Sequence, residues 1–167
     1  QVAVTEGDKV EVQAKLGWQV NTWAVGDLVA EMDQVTEQDI DALMEEYKEN
    51  YSFATEDMET VRYQAKEEIA IRRILVREGA GAYTNTFEDL HGMRQLPGLA
   101  SQNLMAQGYG YGGEGDWKVS ALTHIVKEMT VGMDGGTSFM EDYTYDLEPG
   151  NELSLGAHML EVCPSIA

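Results

Sequence analysis

The amino-acid sequence predicts an α/β fold with a mainly parallel sheet, followed by a β-hairpin. Three observations predict it. Short runs of β formers alternate with helical patterns over residues 1–135, with no internal repeats or low-complexity linkers. Of the two clearest helical stretches, the longer begins with acids and ends with arginines and a glycine, as the helix dipole favours. Beyond residue 135 the apolar period changes from helical to two, around a Pro-Gly turn. That change marks a domain boundary, with residues 1–135 as an α/β domain and 136–167 as a hairpin segment beyond it.

Taken in order, Val2–Val4 reads as a short buried strand, Lys9–Leu16 as a short helix, and Trp18–Val25 as a further strand rich in β formers. Thr36 is placed to cap a helix in which Ile40, Leu43, Met44 and Tyr47 recur at i, i+3, i+4, i+7. A longer helix follows, with Thr55 as N-cap, Glu56, Asp57 and Glu59 in its first turn, Arg72, Arg73 and Arg77 towards its end, and Gly79 just beyond. Ala82–Phe87 reads as a strand, and Leu99–Gln107 as a helix opened by Pro97. From Asp116 another helix runs to about Thr130, with Leu122, Ile125, Val126 and Met129 on one face, and stops in a loop containing Gly132, Gly135 and Gly136. Residues 138–147 and 152–160 then alternate in steps of two around Glu148-Pro149-Gly150-Asn151, a hairpin pattern.

Composition excludes several functions. The 167 residues hold 11 Lys and Arg against 30 Asp and Glu, a formal charge of −19. Binding nucleic acid by phosphate neutralisation, or docking on an anionic membrane, is disfavoured by that balance. Residues 31–60 alone carry eleven acids and one base, Lys48. Their helical spacing makes them the solvated faces of two helices rather than an acidic binding surface. The single cysteine, Cys163, excludes an internal disulfide, and no apolar run approaches the roughly 20 residues of a membrane helix. A reducing, soluble compartment, the cytoplasm, is the expectation. Gln1 stands where an initiator Met would be, so the sequence reads as an excised piece.

The stretch Gly108-Tyr109-Gly110-Tyr111-Gly112-Gly113 matches G-x-G-x-x-G and precedes a helix. A dinucleotide fingerprint needs a strand immediately before it, whereas residues 104–107 read as helix, and Glu114 would place a carboxylate where pyrophosphate binds. The stretch reads instead as a flexible loop delivering Glu114 to a helix N-terminus. There the carboxylate either serves a site or is an ordinary solvated first-turn Glu.

In a hairpin centred on Pro149-Gly150, Leu147 faces Glu152, Tyr145 faces Ser154, Tyr143 faces Gly156 and Glu141 faces His158. Glu141 and His158 would then share a face with Cβ atoms roughly 4.5 to 5.5 Å apart. Such a pair suits a metal or acid–base work, and equally a buried hydrogen bond with no catalytic duty. A one-residue slip of register would part them. His91, beside Glu88 and Asp89, reads as a loop residue in a local hydrogen bond, and His124 as structural. Cys163, with no basic neighbour in sequence, reads as a buried, inert thiol.

At these residues the chain resembles a known family. The runs Val20-Asn21-Thr22-Trp23-Ala24-Val25-Gly26-Asp27-Leu28-Val29, Thr86-Phe87-Glu88-Asp89-Leu90-His91-Gly92, Gln95-Leu96-Pro97-Gly98-Leu99-Ala100, Gly113-Glu114-Gly115-Asp116-Trp117-Lys118, Phe139-Met140-Glu141-Asp142-Tyr143 and His158-Met159-Leu160-Glu161-Val162-Cys163-Pro164 closely resemble bacterial L-arabinose isomerases. The resemblance implies Rossmann-like α/β domains followed by a largely β domain, assembled as homo-oligomers. It implies conversion of L-arabinose to L-ribulose through a cis-enediol, with D-galactose to D-tagatose as a side activity. It also implies a divalent cation, usually Mn²⁺, whose ligands would include Glu114, Glu141 and His158, with Glu114 and Glu141 as the acid–base pair and Phe87 lining the sugar pocket. The family's fourth ligand, a later histidine, has no counterpart before Ala167. The alternative for the chain by itself is a catalytically silent α/β module.

Overall fold

The computed structural model describes residues 5–158 and 160–166. Six α-helices, a parallel strand pair and an antiparallel hairpin make up these residues, a mixed α/β architecture as the sequence predicts. The predicted strand at Val2–Val4 lies outside the described residues.

Helix α1 (Lys9–Leu16) forms where predicted, capped by the Asp8 carboxylate, which accepts from Glu11 N at 2.8 Å, and closed by left-handed Gly17. The predicted strand Trp18–Val25 is absent: residues 17–24 are irregular and lead into helix α2 (Val25–Met32). β formers with no neighbouring strand have nothing to pair with, and the segment is held by its side chains, with the Arg77 guanidinium 5.2 Å from the Trp23 ring. Helix α3 (Glu37–Asn50) starts at Thr36 as expected. Its predicted stripe of Ile40, Leu43, Met44 and Tyr47 is buried.

Helix α4 (Met58–Glu78) is capped by Asp57, not by Thr55. The Asp57 carboxylate accepts from Thr60 N at 3.1 Å, while the Thr55 hydroxyl accepts from Asp57 N in a preceding turn. Its arginines answer the acids of the neighbouring helices: Arg62 pairs with Asp41 at 2.7 Å, Arg73 with Asp39 at 3.0 Å and Arg77 with Glu31 at 2.7 Å. Of the eleven acids in residues 31–60, nine are exposed, so the charge run is helix surface, as read. One face of α4 packs on α2 and α3 through Met32, Leu43, Met44, Val61, Ala65 and Ile69. Another packs on helix α5 (Gly98–Ala106) through Ile71, Leu75, Ala100 and Leu104.

Strand β1 covers only Ala82–Thr84, shorter than the predicted Ala82–Phe87. Helix α5 then crosses over to strand β2 (Gly110–Gly112), which pairs parallel to β1 with Tyr83 opposite Tyr111. The glycine-rich stretch is therefore partly a strand and not a free loop. Its glycines exist for the helix that follows, α6 (Trp117–Met129). A Cβ at Gly110 would lie 2.1 Å from the Ser120 carbonyl oxygen, and one at Gly112 would lie 2.6 Å from that of Asp116. Close approach also decides which face of α6 is buried. Trp117, Ser120 and Thr123 face the strand, whereas Leu122 and Met129 of the predicted apolar face are exposed. Ser120 and Thr123 fit because their hydroxyls donate to carbonyls one turn back, at 2.7 and 2.9 Å. Replacing Gly110 by Ala should force helix and strand apart, lowering stability by roughly 1–3 kcal/mol or more. A thermal melt of G110A unchanged from wild type would contradict this packing.

The hairpin consists of β3 (Glu141–Asp146) and β4 (Leu153–Ala157). Asn151 N donates to the Glu148 carbonyl at 2.9 Å and Gly150 has φ +84, as a Pro-Gly type II turn requires. No helix among the described residues is long and apolar enough to cross a membrane.

Candidate active site

Near its turn the hairpin keeps the predicted register, with Tyr145 opposite Ser154. A bulge between Asp142 and Thr144 then shifts it by one, so Glu141 lies opposite Ala157, not His158, and Asp142 lies opposite Gly156 in place of Tyr143. The shift does not part the pair, because His158 lies beyond the end of β4, where strict alternation stops. Its Nε2 is 4.0 Å from Glu141 Oε2. The imidazole is 11 % exposed and the carboxylate 37 % exposed, so one is buried and the other reaches solvent.

What aims the imidazole is a row of rings. Tyr83 on β1 contacts Tyr111 on β2 at 5.4 Å, Tyr111 meets Phe139 edge-on at 5.7 Å, and Phe139 meets His158 edge-on at 4.7 Å. The parallel pair is thereby tied to the hairpin by edge-to-face contacts. Tyr111 donates its hydroxyl hydrogen to Asn85 Oδ1 at 2.9 Å, and burial pushes its own pKa far up, keeping it neutral.

Glu161 is a site residue that the sequence reading missed as a participant. It is 3 % exposed and brings Oε2 to 2.8 Å from His158 Nδ1. That oxygen has no hydrogen-bond donor, and Nδ1 accepts instead from the Glu161 backbone N–H at 3.4 Å, so the carboxylate abuts the ring without an aligned hydrogen bond. Burial pushes the Glu161 carboxyl above the ordinary range, with His158 acting against it. The spacing His158-x-x-Glu161 was visible in the sequence, but only the burial of Glu161 gives it meaning.

Glu114 stands two residues beyond β2 and has φ +61, the only non-glycine among the described residues with positive φ. That conformation costs roughly 1–2 kcal/mol for an L-residue and persists only where its surroundings impose it. Helix α6 starts three residues later, capped by Asp116, whose carboxylate accepts from Val119 N at 3.0 Å. Glu114 is thus neither in the first helical turn nor a cap. Together with Glu141, it lines a cleft of about 380 Å³ whose walls include Thr5, Asp116, Phe139 and Tyr143.

The structure therefore brings Glu114 and Glu141 to one cleft and His158 to Glu141. Phe87 is not among the residues lining this cleft; it is 48 % exposed in the irregular segment after β1. His91 is exposed and 3.6 Å from Asp89, a local contact, and His124 Nδ1 lies 3.0 Å from the Gly108 carbonyl oxygen, a structural one. Cys163 is buried as expected, but the absence of a basic neighbour does not hold in three dimensions. Lys127 Nζ, from α6, donates to Sγ at 3.3 Å and to the Thr137 carbonyl at 2.7 Å.

The donor set suits a divalent cation chemically: two carboxylates and an imidazole nitrogen. Among the described residues, however, no group of three or more His, Cys, Asp or Glu side chains converges closely enough to hold one. Glu141 and His158 are adjacent, and Glu114 lines the same cleft as Glu141.

Comparison with known proteins agrees with this arrangement of motifs. Residues 1–132 match the model of the L-arabinose isomerase central domain, and residues 136–167 match that of the L-arabinose isomerase C-terminal domain. An L-arabinose isomerase of Thermotoga neapolitana is 57 % identical over 169 aligned residues, covering 100 % of this chain and 34 % of that protein. One from Salmonella arizonae is 56 % identical over 173 aligned residues, covering 100 % of this chain and 35 % of its own length. The chain spans about a third of the length of these relatives. With the two domain models matched over residues 1–132 and 136–167 and over half the residues identical to those relatives, the chain belongs to the L-arabinose isomerase family.

Proposed function

We propose that this chain is the acid–base segment of an aldose–ketose isomerase that converts L-arabinose to L-ribulose, with D-galactose to D-tagatose as a side activity. The observation that carries the reading is the common cleft of Glu114 and Glu141, with His158 Nε2 4.0 Å from Glu141. Moving a hydrogen between C1 and C2 of an open-chain sugar needs a base to remove the C2 proton while the C1 carbonyl oxygen takes one up, leaving a cis-enediol. An acid must then deliver a proton to C1 as the C2 hydroxyl becomes the carbonyl. Two carboxylates in unlike surroundings can divide these tasks. Glu141, beside an imidazole, and Glu114, on a strained turn, are in unlike surroundings. Phe139 packs against His158 and walls the cleft, keeping water from that side, and Phe87 is assigned to the sugar pocket once the rest of the enzyme is present.

A divalent cation such as Mn²⁺, when bound, supplies the charge that polarises the sugar carbonyl and steadies its two oxygens. Glu114, Glu141 and His158 would hold it, with further ligands from outside this chain. The whole enzyme is proposed to be a cytoplasmic homo-oligomer acting on a free sugar, without nucleic-acid or membrane partners.

A second reading, a catalytically silent isolated module, is favoured for the 167 residues alone by the incomplete ligand set. Both are tested together. The isolated chain, given Mn²⁺ and L-arabinose, is expected to form no L-ribulose. A full-length chimaera in which this chain replaces the matching third of the Thermotoga neapolitana relative is expected to form it. Turnover by the isolated chain would refute silence, and an inactive, folded chimaera would refute the isomerase reading.

A further inference from the structure

The segment just before α1 contributes nothing to the chemistry read from the sequence, yet one contact ties it to the turn that carries Glu114 and two tie it to Trp117 at the start of α6. The Thr5 hydroxyl donates to the Glu114 carbonyl at 3.1 Å. One residue on, the Glu6 carbonyl accepts from the Trp117 indole N–H at 2.6 Å. Gly7 then turns with φ +60 against the same indole, so close that a Cβ would lie 2.9 Å from its Cζ2. Residues 5–7 thus form a strap across the start of α6, anchored on Trp117.

Glu114 needs such a strap. Its left-handed backbone is disfavoured for any residue with a Cβ, and it stands where glycine would relieve the cost. On the other side of the turn, Gly115 N donates to the Asn85 carbonyl at 3.0 Å, and Asp116 N donates to the Gly113 carbonyl at 3.0 Å. The Glu114 carbonyl is the group that these bonds do not secure, and Thr5 meets it. Thr5 also lines the cleft that Glu114 and Glu141 share, so strap and cleft adjoin.

The geometry points to Thr5 as a positioning residue for Glu114. Its hydroxyl, delivered by a strap fastened to Trp117, holds the left-handed turn that presents the Glu114 carboxylate to the cleft. This rests on the reading of Glu114 as an acid–base and ligand carboxylate. A hydroxyl is required, and threonine and serine both supply one. Valine has the shape of threonine without the donor.

The test reads the turn and the function separately. In the 167-residue chain, a left-handed Glu114 gives a strong intraresidue NOE between its amide and α protons. T5V should lose that signal and T5S should keep it. In the full-length chimaera, T5V should weaken Mn²⁺ affinity and lower kcat by about tenfold each, in the range seen for outer-sphere groups, while KM for L-arabinose changes less. T5S should restore both. If T5V does not fold, G7A, which pushes the strap off the indole while keeping the Thr5 hydroxyl, should lose the same signal. A Glu114 signal intact in T5V or, failing that, in G7A overturns the proposal, as does T5V with unchanged Mn²⁺ affinity and kcat. If E114Q leaves affinity and turnover unchanged, it is the isomerase reading of Glu114 that fails.

Discussion

Replacing Glu141 by Gln in the full-length chimaera should reduce L-ribulose formation by about 10² to 10⁴-fold, the usual worth of a positioned general acid or base. E114Q should do the same. Glutamine preserves the size of each side chain, so the cleft keeps its shape. At Glu141 it keeps a polar atom facing His158 Nε2, now 4.0 Å from Oε2. What the amide cannot do is accept the C2 proton or return one to C1. It is also a poorer ligand for a hard cation, so Mn²⁺ affinity should fall in both variants. Far-UV circular dichroism should match wild type. A folded E141Q or E114Q that still forms ketose at the wild-type rate removes that residue from the proposed pair.

The second large effect lies away from the cleft. Glu67, on α4, is completely buried. One carboxylate oxygen accepts from Gln64 Nε2 at 2.8 Å, and the other has no hydrogen-bond partner. Desolvation pushes its pKa up to about 8, with Arg94 pulling weakly the other way. Below the ordinary Glu value, near pH 4.5, the folded and unfolded chains both carry the proton, and Glu67 has no effect on stability. Between there and about pH 8 the unfolded chain releases the proton while the folded one keeps it. Stability therefore falls as pH rises, by about 1.4 kcal/mol per unit at most. Across the window the loss is on the order of 3–5 kcal/mol.

E67Q should remove this dependence. The amide oxygen can still accept from Gln64, and no charge needs burying. Urea melts should show E67Q more stable than wild type at pH 8 by a few kcal/mol and nearly equal to it at pH 4.5. Equal stability at pH 8 would mean that Glu67 ionises freely in the folded chain. Its neighbour Glu68, equally buried, contrasts with it. Glu68 accepts from Tyr47 at 2.6 Å, Asn103 at 3.0 Å, Gln107 at 3.1 Å and Arg72 at 3.0 Å, so both its oxygens have donors. Adjacent residues of one type, both inside, differ because one has donors around it and the other has a single amide.

Much of the helical architecture was legible in the sequence because it depends on residues near one another along the chain. Thr36 caps α3, Gly79 closes α4, and the Ile40, Leu43, Met44, Tyr47 stripe is buried as its spacing implies. Local signals failed where a partner was needed. Residues 18–24 have the composition of a strand and no strand beside them, and Phe87 lies past the point where β1 has anything to pair with. In α6 the apolar stripe lost to Ser120 and Thr123, since a glycine strand allows an approach that leucine would block. Glu67 and Glu68 read like surface acids on a charged helix, and nothing in their spacing marks them as buried.

By itself, then, the sequence determined the α/β class, most of the helices, the hairpin turn and, through its long motifs, the family and the candidate residues Glu114, Glu141 and His158. These follow from backbone preference, side-chain period and residue identity, which are properties of short stretches. Only the tertiary structure decided that Glu141 and His158 remain neighbours despite the bulge. It alone put Lys127 against Cys163, Glu161 behind His158, and Thr5 over the turn of Glu114. Each of these joins parts of the chain whose meeting depends on how helix, strand and hairpin pack, and packing distance is not written in local pattern.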